Sequence, residues 1–392
     1  MRRFIKCSSI LFLVMTFFLP VNINAQGSAE DVIIGKSIHL ESKVLGEERQ
    51  IMVYLPDGYD QTTTKYPVLY LLDGRTHFQH ASSTVQFLSR NGRIPQMIVV
   101  AIVNVDRTRD FTPTNMENRP KSGGAKKFIS FIQDELFPYI EGNYRTLPYR
   151  LLEGHSLGGM FSIHVLFEYP KMFQAHFTMS PYIMWDNNYT LNQTIEKMQE
   201  PMDFKNFLYI TIGDEANYVE PLGKFTNLLE TKKPDGLEWH YMVMENDNHG
   251  TVPLKSLYNG METLYKDWII ETAVADQGIE AVEDHYKKLT DKFGYKVDIP
   301  ENVLNAMGYR AIGEKKIDLA IEFFLHNVKL YPESVNVYDS LGEGYEAAGK
   351  LELAKKNYEI AVNKGTESGN NNLAIYKEHL DKVTKKLNDN ES

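Results

Sequence analysis

Ser156 is the residue around which the chemistry of this chain can be organised. It stands in Gly154-His155-Ser156-Leu157-Gly158-Gly159, between an apolar run and a helix-period segment from Met160 to Tyr169. A serine between glycines at a strand-to-helix turn is the nucleophile-elbow pattern, because the backbone doubles back and side chains at the flanking positions would collide. A hydroxyl is a poor nucleophile at neutral pH; it needs a base within hydrogen-bond reach and a third group that fixes the tautomer of that base. The chain offers serine, carboxylate and histidine in that order. His249, in the polar loop Asn246-Asp247-Asn248-His249-Gly250, is the candidate base. Asp214 and Glu215 are adjacent candidates for the acid; Glu215 is favoured, and the other is left to cap the helix that follows. Asp247 is too near His249 in sequence to hold the far ring nitrogen.

An acyl intermediate also needs donors for its oxyanion, normally backbone amides. Leu157 supplies one and Gly74 or Arg75 the second. Tyr182 and Trp185 are candidates to stack on an aromatic or sugar group, with packing against the sheet as the alternative for at least one of them. The spacing of His77 and His80 would suit a metal, but no carboxylate or third histidine stands near them in sequence, so neither metal nor cofactor is expected.

The elements that must position these residues follow from hydrophobic patterning. Ser37–Val44 and Gln50–Leu55 read as a hairpin turned at Gly46. The unbroken apolar run Tyr66–Leu72 reads as a strand buried on both faces, and further strands are read at Met97–Val103, Arg150–Gly154, Ala175–Met179, Phe207–Gly213 and Trp239–Glu245. Helix-period stretches Phe78–Arg90, Ala125–Ile140, Leu157–Tyr169, Tyr218–Glu230 and Val252–Thr272 lie between them. Alternation of this kind predicts an α/β class, a doubly wound and mostly parallel sheet, with its chemistry on loops leaving the carboxyl ends of strands. Gly74-Arg75, Ser156, Asp214-Glu215 and the Asn246–Gly250 loop each follow such a strand.

These pieces resemble the esterase family of α/β-hydrolases that includes siderophore (enterochelin-type) esterases. The resemblance spans about Ile34 to Thr272 and rests on Val53-Tyr54-Leu55-Pro56, Tyr70-Leu71-Leu72-Asp73-Gly74, Asn104 to Pro113, the elbow, Ser180-Pro181 with Trp185, and Asn248-His249. It implies hydrolysis of a carboxylic ester through an acyl-serine, with Ser156 as nucleophile and His249 as base. It also implies that Arg107 or Arg109 lines the mouth of the site; the third member of the triad varies in the family and leaves Glu215 and Asp214 open. A small-molecule or carbohydrate ester is the expected substrate. Acyl transfer, peptide or thioester cleavage, and an idle hydrolase fold acting as a scaffold are the alternatives.

The 392-residue chain carries a net charge of -10. Its first 25 residues hold Arg2, Arg3 and Lys6 and no acid, followed by an apolar core and Ala25, so 1–25 reads as a secretory signal and an exported protein is expected. The lone cysteine, Cys7, falls inside that segment, leaving the rest without disulfide or thiol chemistry. An acidic remainder does not suggest a nucleic-acid surface. The hydrolase region is read as 30–274. Beyond it, in 278–390, Gly308, Ala320 and Phe324 recur as Gly342, Ala354 and Tyr358, an offset of 34 that resembles tetratricopeptide repeats. Such an array is expected to bind a protein or peptide, to self-associate, or simply to cover the hydrolase, with Ile279–Phe293 and Leu373–Leu387 capping the array or docking on the hydrolase.

Overall fold

The computed structural model describes residues 29–200, 203–232 and 234–391, and the basic and apolar segment 1–25 lies outside them. The chain opens with β1 (Lys36–Ser42) and β2 (Glu47–Tyr54), an antiparallel hairpin turned through Gly46 at φ 71°. It continues through β3 (Tyr66–Leu71), α1 (Gly74–Arg90), β4 (Ile98–Ile102) and the short α2 (Arg107–Phe111). Next come α3 (Ala125–Phe131), one π-helical turn at Ile132–Leu136, α4 (Phe137–Asn143), β5 (Thr146–His155) and α5 (Leu157–Glu168). The sheet closes with β6 (Ala175–Met179), α6 (Trp185–Lys197), β7 (Asn206–Ile212), α7 (Ala216–Lys232), β8 (Leu237–Val243) and α8 (Val252–Leu264).

Strand order is β1-β2-β4-β3-β5-β6-β7-β8, parallel from β4 to β8 with the hairpin antiparallel at one edge. The order reverses between β3 and β5, so the crevice between the loops leaving these two strands is the topological switch point, where such sheets bind ligands. Asp73 leaves one strand and Ser156 the other. Buried clusters cover both faces of the sheet, one under α1 and α8 and one under α3 to α5. Because β3 and β4 are buried on both faces, their sequences are apolar without alternation, whereas β6, equally buried, carries His176 and Thr178 on one face.

The helix expected over Val252–Thr272 ends at Leu264 instead. Beyond that end Trp268 packs on Tyr265 and Phe293, at ring centroid distances of 5.7 and 6.0 Å. A four-residue helix α9 (Thr272–Ala275) follows, and then α10 (Ile279–Phe293), α11 (Glu301–Gly313), α12 (Ile317–Leu330), α13 (Asn336–Ala347), α14 (Leu351–Ser368) and α15 (Leu373–Glu391). α11 with α12 and α13 with α14 form two helical hairpins. In each, the glycine lets the aromatic of the partner helix in: a Cβ on Gly308 would stand 2.3 Å from the Phe324 ring, and one on Gly342 would stand 2.5 Å from Tyr358. α10 docks on the hydrolase, with Phe293 5.3 Å from Tyr149 of β5 and 5.0 Å from Tyr265. Gly35–Ser392 is accordingly one compact unit.

Candidate active site

The elbow is built by steric exclusion. Ser156 has φ 59° and ψ -116°, a conformation tolerated because Gly154, Gly158 and Gly159 around it carry no side chains. A Cβ on Gly154 would meet the Gly158 carbonyl oxygen at 2.2 Å, and one on Gly159 would come within 3.1 Å of the Gly154 oxygen and of Pro181 Cα. The turn is pinned by the Ser156 N–H donating to Met179 O at 2.9 Å and the Tyr182 N–H donating to Ser156 O at 2.9 Å. Leu157 is the first residue of α5, and Gly74 and Arg75 are the first two of α1. Amides in a first helical turn have no intrahelical acceptor, and the positive end of each helix dipole favours an anion there. Glycine at 74 is required by the fold itself, since a Cβ there would stand 2.8 Å from Ile102 O of the neighbouring strand. The Arg75 side chain is exposed and donates to Gln50 Oε1 at 2.7 Å, so only its backbone is in question at the site.

Between the loops after β7 and β8 the backbones meet closely. The Asp214 N–H donates to Asp247 O at 2.6 Å, and a Cβ on Gly213 would meet that same oxygen at 2.5 Å. This contact leaves the Asp214 side chain exposed and brings the next residue inward. Glu215 Oε1 is hydrogen-bonded with His249 Nδ1, while Oε2 accepts from Ser180 Oγ and, at 3.0 Å, from the Gly213 N–H. Burial works to raise the Glu215 pKa, but the hydrogen bonds from Ser180, His249 and Gly213, with the charge on His249, outweigh it and hold the carboxyl below its ordinary value. Asp247 is engaged elsewhere, with Lys255 Nζ at 2.7 Å and Thr251 Oγ1 at 3.0 Å.

A cavity of about 380 Å³ is lined by Ser156, His249 and His155, by Asp73 and His77 from the start of α1, and by Asn104 and Arg107. Arg107 grips Asp73 through two bonds, Nε to Oδ1 at 2.6 Å and Nη2 to Oδ2 at 2.9 Å, and also donates to His155 O at 2.9 Å. Asn104 donates to the same carboxylate. One guanidinium therefore ties the loops leaving β3, β4 and β5 together beneath the nucleophile. His155 lies 4.4 Å from the His249 ring, and burial, with its imidazole neighbours, lowers its pKa to about 4, so it stays neutral beside the base.

Two other sequence candidates lie away from this cavity. Arg109 is bound to Glu47 at 2.6 and 3.0 Å and to Asp110 at 2.8 Å, in a network with the fully buried Arg49. Trp185 is 3 % exposed, donates from Nε1 to Thr114 Oγ1 at 2.9 Å and is covered by the Arg119 guanidinium at 5.6 Å, so it packs rather than presents a face. Tyr182 is half-buried, 6.0 Å from the ring of Tyr218, which in turn lies 5.3 Å from His249. His77 and His80 bond to each other at 2.8 Å, and burial lowers both pKa values, that of His80 to about 4. Among the described residues, Asp339, Glu343 and His379 of the helical region form a group whose ligand atoms lie within 4.8 Å of one another.

Sequence reasoning passed over Asp73, Ser180 and Tyr218. The first two sit at φ 54° and 41°, uncommon values for residues other than glycine that no sequence period encodes. Their signal was membership of the runs Tyr70–Gly74 and Ser180-Pro181 and a position just past a buried strand, to which no role was attached.

Residues 42–229 match the family model described as "Putative esterase". Ferri-bacillibactin esterase BesA of Bacillus subtilis is 33% identical over 150 residues, which are 33% of this chain and 52% of that protein, so the chain spans about half the length of this relative. An IroE-like serine hydrolase from Shewanella oneidensis superposes with a TM-score of 0.68 at 29% identity, over 76% of this chain and 99% of that one. An uncharacterised protein from Capnocytophaga ochracea shares the fold over 90% of this chain and 99% of its own, with a TM-score of 0.65 at 17% identity. With its switch-point serine and the match over 42–229, the chain has an α/β-hydrolase fold and is similar to this esterase family.

Proposed function

We propose that this protein is an exported serine esterase that cleaves a carboxylic ester through an acyl-serine. The observation that carries the reading is the convergence of Ser156 and His249 on one cavity, with Glu215 bonded to the far nitrogen of His249. In this reading Ser156 Oγ attacks the ester carbonyl as its proton passes to His249 Nε2. The Leu157 amide and that of Gly74 or Arg75 receive the oxyanion, and the leaving alcohol takes the proton from His249. Water then adds to the acyl carbon by the same route and frees the acid. Glu215 keeps the His249 tautomer fixed and stabilises the imidazolium, and Asp214 has no part.

The names of BesA and similar proteins favour a siderophore ester over an acyl-polysaccharide or simple short-chain ester. The helical hairpins offer a surface for a peptide, a protein or a second copy of the chain. Export rests on the composition of 1–25.

The test is a fluorophosphonate label combined with turnover of p-nitrophenyl acetate. Ser156→Ala is expected to lose both, Glu215→Gln to lower kcat by about 10²- to 10⁴-fold, and Asp214→Asn to stay within about twofold. Wild-type turnover by Ser156→Ala would defeat the reading. A panel of siderophore, feruloyl and acetyl esters then sorts the substrate class.

A further inference from the structure

Tyr218 belongs to no motif, yet the fold brings it to the reacting atoms. It lies in the first turn of α7, where its N–H donates to Glu215 O at 2.9 Å, so the loop that carries the acid also carries the phenol. Its ring stands 5.3 Å from that of His249 and 6.0 Å from that of Tyr182, whose own amide is bonded to the Ser156 carbonyl. The Ser156 side chain bears on the phenol, so the two side chains are near neighbours. Burial, aided by the Glu215 charge, holds the phenol above its ordinary pKa despite the Ser156 contact, so it keeps its proton and remains a donor.

We propose that Tyr218 is a catalytic residue whose hydroxyl donates a hydrogen bond to Ser156 Oγ whenever that oxygen gains negative charge. The proposal rests on the serine-esterase reading above. Charge gathers on Oγ twice. In acylation the O–H bond of Ser156 breaks as the proton moves to His249 and the Oγ–C bond forms. In deacylation water adds to the acyl carbon, giving a proton to His249; the C–Oγ bond then breaks and Oγ recovers a proton from His249. Tyr218 keeps its own proton throughout and lowers the energy of the charged oxygen in both steps. A hydrogen bond to a developing anion is worth more than one to a neutral ground state, so its loss falls on kcat rather than KM. With an activated ester, acylation is eased by the leaving group and the loss shows in deacylation.

The experiment compares Tyr218→Phe, Tyr218→Leu and Ser156→Ala in the full chain, with p-nitrophenyl acetate under rapid mixing. Tyr218→Phe keeps the ring against His249 and removes only the donor. It should lower kcat about ten- to a hundredfold, the range for a hydrogen bond to a charged group, with KM changed less than about threefold. A burst of one p-nitrophenolate per enzyme should also appear as acyl-enzyme accumulates. Tyr218→Leu, which removes the ring as well, should be slower still. Wild-type kcat in Tyr218→Phe, whether or not Tyr218→Leu is impaired, would reduce Tyr218 to ring packing and overturn the proposal while Ser156→Ala remains inactive. Turnover by Ser156→Ala at the wild-type rate would instead overturn the serine reading and this proposal with it.

Discussion

Three residues before Ser156, Glu153 is 1 % exposed, and neither of its carboxylate oxygens has a hydrogen-bond partner. Desolvation, with the nearby Asp73 charge added, pushes its pKa from 4.5 up to about 8. The folded chain therefore holds a proton that the unfolded chain releases, so this group's contribution to stability is complete below pH 4.5 and declines as pH rises from there through about 8. Each pKa unit corresponds to about 1.4 kcal/mol, which makes the accumulated loss a few kcal/mol. Glu153→Gln removes the titration while keeping the shape. Its melting temperature relative to wild type should rise between pH 5 and pH 8.5 by several degrees, on the order of 2–4 °C per kcal/mol. A pH-independent difference in calorimetry would show that Glu153 is ionised and paired in solution. This residue also marks a limit of sequence reading: a glutamate inside an apolar run gives no hint of whether it is paired, and only the strand register places it near Asp73. The serine, by contrast, could be picked out because its glycines have a steric necessity visible in the sequence itself.

At the scale of elements, the repeat offset of 34 is a packing rule, and it makes a test with an internal control. Gly342 faces the fully buried Tyr358, whose hydroxyl donates to Glu346 at 2.9 Å, so the ring cannot swing aside without losing that bond. Gly313, at the exposed end of α11, would meet nothing within 4 Å if given a Cβ. Gly342→Ala should cost about 1–3 kcal/mol by overpacking, whereas Gly313→Ala should be neutral or stabilise by a few tenths of a kcal/mol. Equal denaturation midpoints for the two variants would mean that the hairpins pack differently. Which elements were legible follows from the same physics. Ala175–Met179 stands at the bounds expected of it, with both faces buried although His176 and Thr178 interrupt its apolar residues. α2 is five residues long, and α6 starts through Asp186, Asn187 and Asn188 at positive φ and is mostly polar beyond them, so neither shows an apolar period and the sequence reading assigned neither. The choice between Asp214 and Glu215 was also beyond sequence, since it depends on the single backbone bond to Asp247 that turns one side chain out and the next one in.

On the scale of the whole molecule, the helical region is held through the strand that leads into Ser156, but at the other end of it. Tyr149 packs on Phe293 and Tyr295, seven residues before Ser156 and so about 23 Å away along an extended strand. One continuous core joins Tyr149, Met261, Leu264 and Tyr265 of the hydrolase to Val282, Tyr286, Leu289 and Phe293 of α10. Uncovering those four hydrolase side chains costs roughly 1.5–3 kcal/mol each, a sum comparable with the 5–15 kcal/mol net stability of a typical domain. A chain ending at Asp276 should therefore fail to fold as a soluble monomer, although every proposed catalytic residue is present in it. A chain ending at Gly369 loses only α15, whose Tyr376 and Val383 pack within the helical region on Ala361 and Tyr358 and not on the sheet. It should keep its ester turnover and the near-UV circular dichroism of the hydrolase, with unfolding confined at first to the hairpins. If the chain ending at Asp276 proved soluble and as active as the full chain, α10 would be an appendage rather than part of the hydrolase core.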